Sequence, residues 1–248
     1  MLIDFFMDNP RIAVAFSGGV DSSYLLYAAK STGCDVTAYF VKSQFQPEFE
    51  LQDAKKLADQ LGVPLTIAQL DALSSPVVTA NPADRCYHCK QVVFGKLWEL
   101  ARADGHTILC DGTNADDDES DRPGMKALRE LGVISPLREF GLTKADIRAL
   151  SHAAGLFTHD KPSYACLATR IPTDTAISAE ILAKIERAEG RLFDLGFTDF
   201  RVRLNPPNGA RIQLPGNQLD KAIAEREAIA TALETAFDTV LLDLSVVR

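Results

Sequence analysis

Ile12-Ala13-Val14-Ala15-Phe16-Ser17-Gly18-Gly19-Val20-Asp21-Ser22-Ser23-Tyr24-Leu25-Leu26-Tyr27-Ala28-Ala29 is the stretch that decides the fold. An apolar run, a glycine-bearing loop and an apolar helical pattern follow one another. That order predicts strand, loop and helix, which presents bare backbone N–H groups and the positive end of a helix to an anion. Gly18 and Gly19 let the backbone approach a ligand with no Cβ in the way. Ser17, Ser22 and Ser23 add hydroxyl groups, and the guest these groups suit is a nucleotide phosphate. The competing reading is a plain glycine turn in which Asp21 or Ser22 caps the helix. The strand before and the helix after favour the phosphate loop.

Outward from this loop, short apolar runs alternate with helical patterns over the first two-thirds of the chain. Candidate strands are 12–16, 36–41, 64–68 and 107–110; candidate helices are 22–31, 49–61, 89–104 and 143–154. This alternation predicts an α/β fold with a parallel sheet covered by helices, and a ligand at the carboxyl ends of its strands. Lys161-Pro162 and Ile171-Pro172 bracket a segment that leaves this domain. Beyond it come a helix over 179–195, two strands (200–204 and 210–214) around the turn-rich 205–209, a helix over 219–237 and a strand over 239–246. The expected organisation is a nucleotide-binding domain over 1–165 and a smaller C-terminal α/β domain over 166–248.

Composition narrows the classes. The chain has 248 residues, 46% hydrophobic and 24% charged, which suits one large or two modest globular domains. No apolar run reaches transmembrane length, so no membrane association is expected. Met1–Asp8 lacks the basic region of a signal peptide. Five cysteines, an odd number, suit thiols in a reducing cytoplasm better than a disulfide scaffold. A net charge of −8 argues against nonspecific nucleic-acid binding, although a local basic groove for tRNA stays open.

The loop is neither of the two common nucleotide motifs: no lysine follows the glycines, and G-x-G-x-x-G is absent. S-G-G-x-D-S instead resembles the loop of the PP-loop ATP pyrophosphatase superfamily, which implies cleavage of ATP between its α and β phosphates. A second nucleotide signal is Asp111-Gly112-Thr113-Asn114-Ala115-Asp116-Asp117-Asp118, directly after a strand. Gly112, Thr113 and Asn114 are candidates for ATP, with Asp21 and Asp117 as oxygen ligands for Mg²⁺. Asp118, Glu119 and Asp121 read as a solvated loop, and Arg122 either contacts a phosphate or neutralises that loop. Cys86 and Cys89 form a lone C-x-x-C. A structural zinc site wants four ligands, so a metal or cluster here would need Cys110, Cys166 or His88. Cys34 and Cys110 lie at or in apolar strand patterns and read as packed core.

Cys166 sits in a proline-bounded loop with Lys161 and Arg170 on either side. Two cations there favour a thiolate, a plausible nucleophile toward an adenylated carboxyl group; a buried structural cysteine is the alternative. Arg201 and Arg203 are two apart on a predicted strand and so share a face opposite Val202 and Leu204. Two guanidinium forks on one face suit a phosphate or a pair of carboxylates; a solvated face is the alternative. Glu189 lies within the apolar stripe of its helix, where an unpaired charge is costly. It therefore needs a partner, for which Arg201 or Arg203 is expected. Asp220, after Pro215-Gly216-Asn217, is either a helix-start aspartate or a site residue.

Taken in order, Ser17–Ser22, Asn81–Lys90, Gly112–Asp117 with Arg122-Pro123-Gly124, and Ala165–Pro172 resemble the LarE family, ATP-dependent sacrificial sulfur transferases of nickel-pincer nucleotide synthesis. The resemblance spans nearly the whole chain, and the Cys166 motif is its most specific piece. It implies that ATP adenylates a carboxylate of a pyridinium-3,5-dicarboxylate mononucleotide, and that Cys166 then displaces AMP. Cleavage of the Cβ–S bond leaves dehydroalanine in the protein and a thiocarboxylate on the substrate. It further implies catalytic roles for Cys166, Glu189 and Asp220. Arg201, Arg203, Tyr87 and Arg170 are implied on the substrate side, and the assembly is a homo-oligomer. Two other adenylating chemistries use the same loop: ammonia-dependent amide synthesis of the NAD synthetase type, and tRNA thiolation. A regulatory module that merely binds an adenine nucleotide is the non-enzymatic reading.

Overall fold

In the computed structural model, residues 1–117 and 123–245 are described. After a short helix α1 (Leu2–Asp8), the apolar run before the glycine loop forms β1 (Arg11–Ala15), whose Ile12, Ala13 and Val14 are wholly buried. Such a run, apolar on both faces, is the signature of an inner parallel strand. α2 (Val20–Ser31) follows the loop, then β2 (Asp35–Lys42), α3 (Glu48–Leu61) and β3 (Leu65–Gln69). After α4 (Pro76–Thr79) come α5 (Arg85–Ala103), β4 (Leu109–Cys110), α6 (Pro123–Glu130), α7 (Pro136–Glu139) and α8 (Lys144–Ala153). The four strands pair in the order β3-β2-β1-β4, all parallel.

The sheet has a core on each face, and β1 feeds both through its two-residue period. Ile12 and Val14 pack with Leu25, Leu26, Phe40, Leu57 and Ile147. Ala13 packs with Tyr39, Phe94, Leu97, Trp98, Leu109 and Met125. The chain winds from β1 outward to β3 and then returns to place β4 on the other side of β1. That reversal is a topological switch point, where α/β sheets hold ligands beyond their strand ends. Some elements differ from expectation. β4 is shorter than the apolar run over 107–110, and α5 starts at Arg85, bringing Cys86 and Cys89 into its opening turns. α6 buries Gly124, Met125, Ala127 and Leu128 but was not foreseen, because one apolar turn beside an acidic run carries little periodic signal.

The remainder is built on α9 (Ala179–Asp194), β5 (Arg201–Asn205), β6 (Gly209–Gln213), α10 (Leu219–Ala224), α11 (Arg226–Leu233) and β7 (Thr239–Leu242). β5 and β6 pair antiparallel across a short turn; β6 and β7 pair parallel, which requires the intervening helical crossover. The single helix expected over 219–237 is two helices, broken at Glu225 (φ −98°, ψ 16°). Ala222 is buried before the break and Ile229 and Leu233 after it, while Ile223 stays exposed. Contacts divide the chain into two units, Met1–Ala72 with Asp84–Lys161, and Leu73–Ala83 with Pro162–Arg248. The second unit thus includes an excursion from the first half of the sequence, which a single cut at 165/166 does not contain. Among the described residues no helix is long and apolar enough to cross a membrane.

Candidate active site

The glycine loop is organised by its own serines. Ser22 Oγ donates to Gly19 O at 3.3 Å, accepts from Ser17 N–H at 3.3 Å and lies 3.1 Å from Ser17 Oγ. Gly18 takes φ +75°, the left-handed region that glycine enters without cost, and a Cβ there would stand 3.2 Å from Glu50 O. Gly112 needs its missing side chain for a different reason: a Cβ would stand 2.8 Å from Ser22 N, so the end of β4 lies directly against the first turn of α2. Between them opens a cavity of about 430 Å³, lined on one side by Ala15, Ser17, Asp21 and Ser22 and on the other by Asp111, Gly112, Thr113 and Asp117. Cys86, Lys90, Phe94 and Pro123–Met125 complete the wall. Its size suits a nucleotide-sized ligand.

The lining separates residues that face the cavity from residues that shape it. Asn114 is buried and accepts Asp116 N–H on Oδ1 at 2.9 Å, so it builds the turn. Thr113 spends its hydroxyl proton on Asp111 Oδ2 at 2.6 Å, and Ser135 donates to Asp111 Oδ1 at 2.6 Å. Asp111, a buried carboxylate at the end of β4, was not singled out from sequence, since a strand-end aspartate looks like any turn residue. Tyr87 lies outside the lining: its hydroxyl donates to Glu130 at 2.7 Å and Lys126 stands 5.3 Å above its ring. Arg122, Asp118, Glu119 and Asp121 lie outside the described residues.

Asp21 is one of the charged residues that line the cavity. Lys144 Nζ reaches its Oδ2 at 2.5 Å, while Oδ1 is buried and makes no hydrogen bond to a described residue. An unspent carboxylate oxygen, on a cavity that Asp117 also lines, is what a hard cation with oxygen ligands uses. Among the described residues no three of His, Cys, Asp and Glu gather as a metal cage. The donor set therefore fits Mg²⁺ that keeps phosphate and water ligands, and among the described residues it brings the C-x-x-C thiols into no group of three ligands. Lys161 pairs with Asp53 at 2.6 Å and donates to Gly18 O at 3.1 Å. Its ammonium group thus ties α3 to the glycine loop.

The second unit assembles the cysteine loop. Cys166 is half-buried and begins a 3₁₀ turn, Leu167–Arg170, in which Thr169 donates to Cys166 O through both N–H (2.9 Å) and Oγ1 (2.8 Å). Arg170 closes that turn with 1% exposure. It donates through Nε to Glu189 Oε1 at 2.8 Å, through Nη2 to Oε2 at 3.3 Å, and through Nη1 to Ala165 O and Thr169 Oγ1. Tyr164 donates to Glu189 Oε2, and Val202 N–H donates to Oε1 at 2.9 Å. Burial disfavours the charge on Arg170, but hydrogen bonds to Glu189 and its negative charge outweigh this and raise the guanidinium pKa, with smaller contributions from Tyr164 and Cys166. Glu189 is therefore paired, as its place in an apolar stripe demands, but its partner is Arg170 rather than Arg201 or Arg203.

On β5, Arg201 and Arg203 lie on the half-buried face, with Val202 and Leu204 on the buried one. Arg203 donates to Thr169 O at 2.6 Å and to Gln213 Oε1 at 2.5 Å. The Arg201 backbone pairs with Gln213 in the β5–β6 ladder, but its side chain makes no hydrogen bond or ion pair with a described residue. Burial, then the charge of Arg170, push both guanidinium pKa values down. Three arginines against one buried glutamate leave this surface short of negative charge. Asp220 stands exposed in the first turn of α10. Asn81, from the excursion, is buried with φ +57° and donates to the carbonyls of Ile171, Pro172 and Thr175, bracing the chain just after the cysteine loop.

Comparison with known proteins agrees with this geometry. Residues 10–129 match the tRNA methyl transferase HUP domain family. An uncharacterized protein of Synechocystis is 36% identical over 247 residues, 98% of this chain and 92% of that protein. The tRNA-specific 2-thiouridylase MnmA of Hahella chejuensis is 28% identical over 194 residues, 62% of this chain and 51% of that protein. The pyridinium-3,5-bisthiocarboxylic acid mononucleotide synthase of Lactiplantibacillus plantarum is 33% identical over 246 residues, 98% of this chain and 89% of that protein. A match of that identity along almost the full length of both proteins places the chain in the synthase's family, the LarE family of ATP-dependent sulfur transferases built on a PP-loop domain.

Proposed function

We propose that the chain uses ATP to adenylate a carboxylate of a pyridinium-dicarboxylate mononucleotide and transfers to it the sulfur of Cys166. The observation that carries this reading is the arginine surface around the Cys166 turn, above all Arg201, a half-buried cation that feels the charges of Asp199 and Glu189 but whose side chain closes no ion pair with a described residue. Such a group calls for an anionic ligand. In the cavity of the first unit, Ser17, Ser22 and the loop N–H groups bind phosphate oxygens. Asp21 and Asp117 would hold Mg²⁺, which when bound neutralises phosphate charge. The substrate carboxylate attacks the α-phosphorus, giving an acyl adenylate and pyrophosphate. Cys166 then attacks the acyl carbon as thiolate, AMP departs, and a thioester remains. A base takes the Cys166 Cα proton, the C–H electrons form Cα=Cβ, and the Cβ–S electrons leave with sulfur as thiocarboxylate. We assign Glu189 to holding the loop, since all its acceptor directions are taken by Arg170, Tyr164 and Val202.

Intact-protein mass spectrometry after turnover with ATP, Mg²⁺ and the dicarboxylate tests the sacrificial step. The expected loss is roughly 34 Da, one sulfur and two hydrogens, as cysteine becomes dehydroalanine. Product formed at unchanged protein mass refutes it. The partial match to a tRNA-specific 2-thiouridylase favours tRNA as the competing acceptor. Thiolated tRNA formed in preference to the thiocarboxylate would establish that reading instead.

A further inference from the structure

Lys144 opens α8, and three contacts fix where its side chain stands. Its backbone N–H donates to Asp116 Oδ2 at 2.7 Å, Ala115 N–H donates to Leu142 O at 2.8 Å, and Thr143 caps the helix with Asp146. The start of α8 is thereby tied to the loop that carries Asp117. From there the ammonium group reaches Asp21 Oδ2 at 2.5 Å, leaving Oδ1 buried and without a hydrogen-bond partner among the described residues. One carboxylate oxygen on an ammonium and the other unspent, on the lining of a nucleotide-sized cavity, is half of a cation site already held by a cation. An ammonium on Oδ2 and a divalent ion on the same carboxylate would repel each other at close range.

We propose that Lys144 is the resident counterion of the metal position. It holds Asp21 while the cavity lacks metal and nucleotide, and yields Asp21 when they arrive, its charge passing to the phosphates. This rests on the reading above that ATP and a divalent ion share the cavity. The four-carbon stem and rotatable ammonium allow the transfer with α8 fixed in place; arginine keeps the charge on a side chain of comparable reach, in a more rigid planar fork. Lys144 touches no reacting atom in this scheme and is a positioning residue.

The test is Mn²⁺ binding to the full chain with an ATP analogue bearing an α,β-methylene bridge, read from the spin resonance of unbound Mn²⁺. Lys144→Gln removes the competitor, so half-occupancy by Mn²⁺ is expected at a roughly fivefold lower concentration, the equivalent of a part-exposed ion pair. The analogue, at saturating Mn²⁺, is expected to bind more weakly by a similar factor. Lys144→Arg keeps the charge and should leave Mn²⁺ binding within about twofold of the parent. In an Asp21→Asn background, Lys144→Gln should no longer change Mn²⁺ affinity. Unchanged or weaker Mn²⁺ binding in Lys144→Gln overturns the proposal, as does Lys144→Arg behaving like Lys144→Gln or a parent chain that binds no Mn²⁺. No sulfur acceptor is present. A chain that passes this test but forms no thiocarboxylate therefore refutes the sulfur-transfer reading alone.

Discussion

Replacing Arg170 with Met removes the cation from a carboxylate that has nowhere else to turn. The Arg170 and Glu189 side chains are 0% and 2% exposed, and their two hydrogen bonds lie at 2.8 and 3.3 Å. In Arg170→Met, Glu189 keeps only Tyr164 and Val202 N–H as donors and stays buried. Breaking a buried pair from one side costs about 3–5 kcal/mol, because the remaining charge is left uncompensated. For a chain of this size that corresponds to a fall of roughly 10 °C or more in the melting midpoint of the second unit. Glu189→Gln should cost a similar amount, since it strands the buried guanidinium. The double variant Arg170→Met with Glu189→Leu removes both charges and should recover most of the loss, as apolar replacements of buried pairs commonly do. Thermal and urea unfolding followed by far-ultraviolet circular dichroism, with amide exchange at Val202 as a local probe, measures all three. A single variant costing under about 1 kcal/mol, or a double variant costing the sum of the singles, refutes the claim that the pair acts as one buried unit.

The remaining predictions address the cavity, the acceptor and pH. Gly112→Ala places a Cβ 2.8 Å from Ser22 N, against backbone that has no rotamer to yield; nucleotide binding measured by calorimetry should weaken markedly, with a stability loss of about 1–3 kcal/mol. Unaltered ATP affinity would show that the two loops do not form one site. Arg201→Ala should raise the KM for the acceptor by about 10- to 100-fold, the worth of a charge-assisted contact, while the melting point stays near that of the parent because no protein group loses a partner. A matching fall in stability would mean that the arginine is structural. Burial, then the charge of Arg11, lowers the His106 pKa below 6.5. The unfolded chain then binds the proton first, so stability should fall as pH drops from about 6.5 toward the depressed value. His106→Gln should flatten urea midpoints across that window, and an unchanged slope would refute the assignment.

Local motifs were legible in the sequence and long-range pairings were not. The loop 17–22 could be read because strand, glycines and helix start are consecutive, and its chemistry is mostly backbone. The alternation of Arg201 and Arg203 with Val202 and Leu204 is a period of two within one strand. The burial of Glu189 could likewise be foreseen from its helical stripe, 1% exposed as it is. The identity of its partner could not, because Arg201, Arg203 and Arg170 are equivalent to any reading that lacks the path of the chain. Lys144 and Asp21 are 123 residues apart, and nothing near either announces the other. The excursion 73–83 was invisible for a related reason. Asn81 looks like a turn residue until the three carbonyls it serves, some 90 residues later, are brought beside it.

This contrast bears on how the two halves of the chemistry tolerate change. The phosphate loop is held by serines within five residues of one another and by close backbone approach at Gly112, so its integrity depends on small side chains and few of them. The cysteine loop depends on a chain of side-chain bonds running from Thr169 and Ala165 through Arg170 and Glu189 to Val202 on β5, with Tyr164 closing it from the other arm. A half-satisfied polar network is worse than none. Single substitutions in the second unit should therefore be felt first as lost order around Cys166, before any loss of ATP binding. In the proposed reaction, the thiol that attacks the acyl carbon is held by the part of the molecule least forgiving of an unpaired charge.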